Sequence, residues 1–317
     1  MISPSIHSKL SLLLPSQNKV LTEIIKHASP EQLTHLQEKS NLKTFLTSLF
    51  NDTITQTKSD SILLDILKNN PSFKNMGNFT EDLKSLLTSL KEDPLLGPKL
   101  SKLESFSQPI GTVNAPILKE KIADSGIFME SKIAALADAS SEKLEESMGR
   151  DVKSNLLTLK SALEELNVPN KEALQTHLDQ LITKIDYHQL LSHLSSTNSL
   201  YFPFSWDQLQ EGNLTFKKAK GKKFYCEINL TLKEYGALDL MMGLYEENQL
   251  DLQIYTEKTE LKTLIQTHLE LLRALLIDAG ITLRLLRIHD SKNPITPSSE
   301  AYTPETIDKH FGFEAIV

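Results

Sequence analysis

Side chains that could carry out chemistry are few and scattered in this sequence. The single cysteine, Cys226, alternates with Phe224 and Ile228, and an apolar environment of this kind raises a thiol pKa and weakens the nucleophile. The closest two histidines, His188 and His193, are five residues apart, which places them on different faces of a helix. We therefore interpret Cys226 as a core residue and expect no metal site at these histidines.

Other catalytic signatures are also missing from the sequence. None of the eleven glycines forms a glycine-rich phosphate loop, and no Cys/His spacing resembles a zinc site. Adjacent carboxylates, such as Glu145 with Glu146 and Glu164 with Glu165, fall in helix-like runs where a solvated face is the simpler interpretation. The sequence thus favours a protein that is not an enzyme and that uses no metal and no cofactor.

A cluster of lysines is the strongest local charge. It surrounds Gly221 at a predicted hairpin tip and consists of Lys217, Lys218, Lys220, Lys222 and Lys223. Such a tip is a candidate docking site for an acidic partner surface, where positive charge raises the encounter rate and orients the partners. The alternative is a solvated turn whose charges discourage pairing with other strands. The sequence leaves both interpretations open.

The elements that carry this tip have a hydrophobic period of two. Alternation predicts strands around Leu214–Phe216, Phe224–Leu232, Leu238–Met242 and Leu250–Ile254. A helix from about Thr256 to Ala279 follows, and its expected buried side consists of Leu261, Leu264, Ile265, Leu269, Leu272, Leu275 and Leu276. Gly280 is expected to end this helix in the left-handed region, before a short strand at Ile281–Leu285.

Before residue 200 the apolar residues are three and four apart, the period of amphipathic helices. The first predicted helix begins at a capping box formed by Ser29 and Gln32, with Pro30 at the first helical position. Further helices are predicted at Asp60–Lys68, at Thr80–Lys91, from Leu118 to about Leu166 with breaks at Gly126 and Gly149, and from Asn170 to about His193. Residues 93–116 are expected to be a loop or short turns because proline and glycine recur there.

These patterns together predict an α+β protein with a mostly helical N-terminal region. Residues 1–28 are a flexible start and a candidate uncleaved export signal, residues 29–194 the helical region, and residues 195–200 a linker. Residues 201–290 form a small domain of about five strands and one long helix, and residues 291–317 are a loose tail.

Charge and composition exclude some classes of protein. The formal charge of −7 argues against a nucleic-acid-binding protein, which would carry a basic domain. One cysteine cannot form an internal disulfide, which indicates a reducing compartment. The apolar run near the start is stopped by Pro15 and is too short to span a membrane.

The succession of elements after residue 200 resembles the C-terminal domain of the bacterial flagellar hook-length control protein family. The resemblance rests on a strand that begins at Gly236 and carries Leu238 and Leu240, on the alternating Leu250–Tyr255, and on Leu272, Arg273, Leu276 and Gly280. The segment Asp124–Lys132 is also similar to an S-G-[IL]-F-x-E-S segment found upstream in proteins with this domain.

This resemblance implies a protein made in the cytoplasm and exported through the flagellar type III apparatus. Its C-terminal domain would bind the cytoplasmic domain of the export gate protein and switch export from hook to filament proteins; hook and hook-cap proteins are further candidate partners. The candidate contacts are the five lysines, Tyr235, Gly236 and Arg273, and the structural positions of the motif are Leu238, Leu240, Leu272, Leu276 and Gly280. The competing hypothesis is a cytoplasmic protein-interaction module that is never exported, which the helical N-terminal half favours.

Overall fold

The computed structural model of the chain describes residues 64–65, 67–73, 76–91, 96–136, 141–166, 168, 170–195, 197–218 and 223–290. These residues form two compact units, one helical and one built on a sheet, which divide between residues 196 and 208. The predicted α+β class is confirmed. The candidate export signal at 1–28, the helix capped by Ser29 and the tail at 291–317 lie outside the described residues.

The described part of the first unit is helical. Its elements are α1 (Phe79–Leu90), α2 (Gly97–Glu104), α3 (Ala115–Ala123), α4 (Met129–Ala135), α5 (Ser141–Arg150), α6 (Val152–Glu165) and α7 (Lys171–Ser195). Short 3-10 turns lie at Pro71–Phe73, Ser105–Ser107 and Ile110–Thr112. The short turns predicted within residues 93–116 are present, but α2 was missed, because proline is tolerated in the first turn of a helix and α2 begins at Gly97–Pro98.

Polar caps decide where two of these helices begin. Asn78 caps α1 by accepting hydrogen bonds from the amides of Thr80 (3.0 Å) and Glu81 (3.4 Å), so the cap lies two residues before the predicted Thr80. The break predicted at Gly149 falls instead at Asp151, which caps α6 and accepts from the amide of Lys153 at 3.0 Å. The break at Gly126 is confirmed, since this residue adopts a φ of +85° between α3 and α4.

The core of the helical unit is aliphatic. Helix α7 packs on both α1 and α6, and α6 also contacts α2. The buried leucines and isoleucine at these contacts are Leu83, Leu86, Leu90, Leu156, Leu159, Leu163, Leu178, Leu181 and Ile185. Each such side chain contributes about 1.5–3 kcal/mol when taken out of water. The apolar residues that are three and four apart in the sequence thus form the packing faces of α1, α6 and α7.

The second unit is built on a six-stranded sheet with two helices; the last two residues of the first strand, Leu200 and Tyr201, are grouped with the helical unit. Its elements are β1 (Asn198–Tyr201), β2 (Leu209–Lys218), β3 (Phe224–Leu232), β4 (Gly236–Tyr245), β5 (Gln249–Thr256), α8 (Thr259–Thr267), α9 (Leu269–Asp278) and β6 (Thr282–Asp290). The strands lie in sequence order across the sheet, with β2 to β5 antiparallel and β6 parallel to β5. The prediction of about five strands missed β1, which overlaps the predicted linker at 195–200 and ends at Tyr201.

The register places the alternating apolar residues on one face of the sheet. One row across the strands joins Leu214, Ile228, Leu240 and Ile254, and the next joins Phe216, Cys226, Met242 and Leu252. This confirms the predicted strand period. The last strand, β6, is longer than predicted and runs to Asp290, because every residue of it pairs in register with β5 except at one bulge.

The prediction of a single long helix after β5 was wrong. The chain bends at His268 (φ −103°, ψ 11°), which divides the segment into α8 and α9. Of the seven aliphatic residues expected on its buried side, only Leu261 is buried, while Leu264 and Leu275 are exposed. The reason is that α8 and α9 form one layer, packed on β5 and β6, so only the side of each helix toward the sheet is covered.

Gly280 ends α9 as predicted. Its φ is +76°, its amide donates to the carbonyl of Ile277 at 2.9 Å, and the amide of Ile281 donates to that of Leu276 at 2.8 Å. These two bonds are the Schellman arrangement, in which a left-handed residue satisfies the last carbonyls of a helix. Gly280 thereby directs the chain from α9 into β6.

Candidate partner-binding site

The described lysines of the predicted docking tip lie at the β2–β3 end of the sheet. Lys217 and Lys218 are the last residues of β2 and pair with Tyr225 and Phe224 of β3. Lys223 places its Nζ 5.7 Å from the centre of the Tyr245 ring. Lys220 and Lys222 lie outside the described residues. The fold therefore positions the two flanks of the predicted tip on paired strands.

Aromatic rings adjoin these cations. Tyr245 is buried and packs edge-on against Tyr225, with ring centres 6.2 Å apart, and Met241 packs against the pair. The guanidinium of Arg284 lies 5.9 Å from the Tyr245 ring, so two cations share one aromatic side chain. Contacts of this kind contribute about 0.5–1 kcal/mol each where exposed. Tyr245 and Arg284 were not among the contacts predicted from the sequence. The available signal for the tyrosines was the strand alternation, which places Tyr225 and Tyr245 on the face of the sheet that does not carry Cys226.

The same end of the sheet also carries negative charge. Glu246 and Glu247 are exposed in the β4–β5 turn, with φ values of 49° and 75°. The buried carboxylate of Asp251 lies 4.0 Å from the Nε of Arg284. Burial raises the pKa of Asp251, and Arg284 and Arg287 oppose the shift. We refer to Lys217, Lys223, Arg284 and these two glutamates, which lie at the same end of the sheet, as the mixed-charge edge.

Tyr235 and Gly236 lie at the opposite end of the sheet. Gly236 has a φ of +70° and opens β4 opposite Leu232, the last residue of β3. Nine residues of β3 separate this turn from the lysine tip, which at about 3.4 Å per residue is roughly 27 Å. The candidate contacts predicted from sequence therefore form two separate surfaces.

The remaining candidates lie on or beneath the helices. Arg273 is half exposed on α9, with its Nε 3.9 Å from a carboxylate oxygen of Glu270. Leu272 and Leu276 are half-buried in the same helix, which packs on β6. In β4, Leu238 is buried and Leu240 half-buried on the apolar face of the sheet. The motif leucines thus take part in packing, and Arg273 stands at the surface.

The second family-like segment, Asp124–Lys132, is held inside the helical unit. The side-chain amide of Gln189 donates to the carbonyls of Gly126 (3.1 Å) and Ile127 (3.0 Å). The Nζ of Lys153 bonds Glu130 at 2.5 Å and the buried carboxylate of Asp186 at 2.8 Å. Burial acts to lower the pKa of Lys153, but Asp186 and Glu130 outweigh it and the net pKa is raised. The segment is a structural element of this unit.

The described residues offer little for bond-making chemistry. Burial raises the pKa of Cys226 to about 12, as its apolar strand neighbours predicted, so the thiol is a poor nucleophile at neutral pH. Among the residues that the structure describes, no three His, Cys, Asp or Glu side chains converge as metal ligands. No helix in the described ranges is long and apolar enough to cross a membrane.

Comparison with known proteins gives one match. Residues 213–295 match the family model described as "Flagellar hook-length control protein FliK". The matched residues run from within β2 to just beyond β6 and include α8 and α9. No curated protein and no solved structure matches the chain.

Proposed function

Because the C-terminal domain of this chain belongs to the flagellar hook-length control protein family, we propose that the chain controls hook length and is exported through the flagellar type III apparatus. Its C-terminal domain binds the cytoplasmic domain of the export gate protein and switches export from hook to filament proteins. The observation that carries this proposal is the agreement between the matched residues, 213–295, and one folded sheet domain.

The proposed mechanism is binding and not catalysis. The family is a regulatory and structural one of the flagellum. The mixed-charge edge, defined by Lys217, Lys223, Arg284 and the glutamates of the β4–β5 turn, supplies an oriented charge pattern beside aromatic rings. Such patterns mainly set the association rate and the orientation of the complex.

A genetic experiment tests the switching role. We compare a strain deleted for this gene with one that expresses only residues 1–199, and measure hook length by electron microscopy. Overlong hooks without filaments in both strains are expected, because the second strain lacks the matched domain. Normal hooks and filaments in the deletion strain would exclude the proposed function.

A binding experiment tests the mixed-charge edge. Lys217→Glu/Lys223→Glu should slow association with the purified cytoplasmic domain of the gate protein by about tenfold at low salt, with a smaller effect at high salt. The matched control is Lys119→Glu/Lys143→Glu, which reverses two exposed lysines of α3 and α5 in the helical unit. Equal association rates for the two double variants would assign binding to another surface.

A second candidate function is an interaction module that stays in the cytoplasm. The observation that favours it is the packed aliphatic core of the helical unit with its buried Lys153–Asp186 pair, since an exported chain must unfold. We expect the full chain to be found in the culture supernatant of cells that are building hooks and to be missing from that of export-deficient cells. Retention in both strains would support the module instead.

A further inference from the structure

A small cavity lies where three helices of the helical unit end. Its walls come from the ends of α2, α3 and α5 and from the 3-10 turn that follows α2. The cavity has a volume of about 150 Å³, below the roughly 300–1,000 Å³ of pockets that hold drug-sized ligands. Three of its lining side chains are cations, namely Lys102, Lys121 and Arg150. Its size and its charge are those of a site for a small anion.

Lys121 is the most buried of these cations. It is 5% exposed, and its Nζ donates to the carbonyl of Ser105 and lies 4.6 Å from the centre of the Phe106 ring. Among the described residues, no carboxylate lies within ion-pair distance of this Nζ. Burial lowers the pKa of Lys121, and the charges of Glu120 and Asp124 oppose the shift without overcoming it. The buried ammonium is therefore incompletely compensated.

The other two cations lie at the surface beside the same cavity. Lys102 is exposed on α2, and a Cβ added to Gly149 would lie 3.2 Å from its Nζ, so this lysine reaches across to the end of α5. Arg150 is the last residue of α5, and its Nη1 lies 3.7 Å from a carboxylate oxygen of Glu146. An exposed pair of this kind is weak, so Arg150 is available to a bound ligand.

Two carboxylates also line the cavity. That of Asp124 is engaged by Lys132, whose Nζ lies 2.7 Å away. Glu120 is exposed, so water and salt screen its charge. The negative charge at this site is thus directed elsewhere or screened, while the charge of Lys121 is enclosed.

Helix ends explain part of this arrangement. Each of the three cations lies in the last turn of its helix, where basic side chains interact favourably with the free carbonyls. This accounts for an exposed lysine or arginine at any one helix end. It does not account for three such cations around one cavity, or for the burial of one of them.

We propose that the cavity binds a small oxyanion such as inorganic phosphate, held by the buried Lys121 and by Lys102 and Arg150 at the surface. Lysine and arginine form strong, charge-assisted hydrogen bonds with phosphate oxygens. A bound anion joins the ends of α2, α3 and α5 and stabilises the helical unit, because it binds the folded state and not the unfolded chain. This inference concerns the helical unit and does not depend on the proposed function of the C-terminal domain.

A titration of the full-length protein with sodium phosphate, at constant pH and ionic strength, tests this site. The NMR signals of the Gly149 and Arg150 amides should shift and then saturate. Lys121→Met and Lys102→Met should each weaken binding by about tenfold or more, because each removes a charged hydrogen-bond donor. Glu120→Gln should strengthen binding by about two- to fivefold, because it removes a like charge beside the anion.

The matched control is Lys119→Met, which removes an exposed lysine of α3 outside the cavity lining and should leave the affinity unchanged. Lys102 is exposed, so its variant remains informative even where Lys121→Met disturbs folding. Two results would overturn the proposal. One is a shift at the end of α5 that rises without saturation, as a general salt effect does. The other is the same affinity for phosphate in Lys102→Met, in Lys119→Met and in the unmodified chain.

Discussion

Lys153 and Asp186 form a buried ion pair between α6 and α7, with Nζ 2.8 Å from the carboxylate and each side chain 1% exposed. The same two helices are joined by a second lysine–aspartate pair, Lys160 with Asp179, at 2.6 Å but with side-chain exposures of 32% and 26%. The two pairs share chemistry and helices and differ in burial and in the further contacts of Lys153 with Glu130 and Gln189. They therefore allow a buried and a partly exposed lysine to be compared within one unit.

Removing the buried lysine should be far more damaging than removing the exposed one. Lys153→Met leaves the Asp186 charge without its lysine in a buried position and should lower the free energy of unfolding by about 3–5 kcal/mol. Lys160→Met should cost about 1 kcal/mol or less, because water screens its partner. Urea unfolding followed by circular dichroism measures both. Similar losses for the two variants would mean that the buried pair is solvated in solution.

Acid should destabilise the helical unit through His188. Burial, with a smaller contribution from the charge of Lys184, lowers the pKa of His188 to about 3, while an unfolded histidine titrates near 6.5. Below about pH 6.5 the unfolded chain binds one proton more, so stability falls by about 1.4 kcal/mol per pH unit until the pH reaches about 3. Above that window this histidine makes no pH-dependent contribution.

The comparison of variants isolates this histidine from other titrating groups. His188→Gln should remove that part of the slope in urea unfolding series at pH 7, 6, 5 and 4, whatever its effect on absolute stability. His268→Gln, at an exposed position between α8 and α9, should keep the slope. A slope unchanged by His188→Gln would show that this side chain is hydrated in the native state.

Two left-handed glycines should differ in their tolerance of alanine. Gly280 has a φ of +76° and open space around its missing Cβ, so Gly280→Ala should cost only the conformational strain, about 1–2 kcal/mol. Gly126 has a φ of +85°, and an added Cβ would lie 2.7 Å from the Cβ of Lys153. Gly126→Ala should therefore cost clearly more. Thermal unfolding gives the order, and an unchanged midpoint for Gly280→Ala would contradict its role in ending α9.

Cys226 should react slowly with thiol reagents until the sheet opens. Burial raises its pKa to about 12 from a reference of 9.0, so near pH 8 about a thousandfold less thiolate is present than in an unfolded chain. The rate of labelling by an aromatic disulfide reagent, compared in buffer and in urea, measures this difference. The chain has one cysteine and needs no variant for the assay. Comparable rates in the two conditions would show a solvent-accessible thiol.

Local patterns predicted much of the sheet domain. The alternation around Cys226 identified the strands and their apolar face because each strand residue points to the side opposite its neighbour. Gly280 could be placed at a helix end because glycine, which has no Cβ, adopts the left-handed conformation without strain. The same logic failed for α8 and α9, where periodicity gave one amphipathic helix and could not reveal the bend at His268.

The sequence by itself determined the features that depend on neighbours along the chain: strand alternation, helix period and left-handed glycines. Tertiary structure alone decided which polar and apolar groups are buried, since burial depends on elements that are distant in sequence. It placed Lys153 against Asp186 inside the helical unit and left Leu275 exposed on a one-layer helix pair. It also separated the lysine tip from Gly236, because the antiparallel β3 carries them to opposite ends of the sheet.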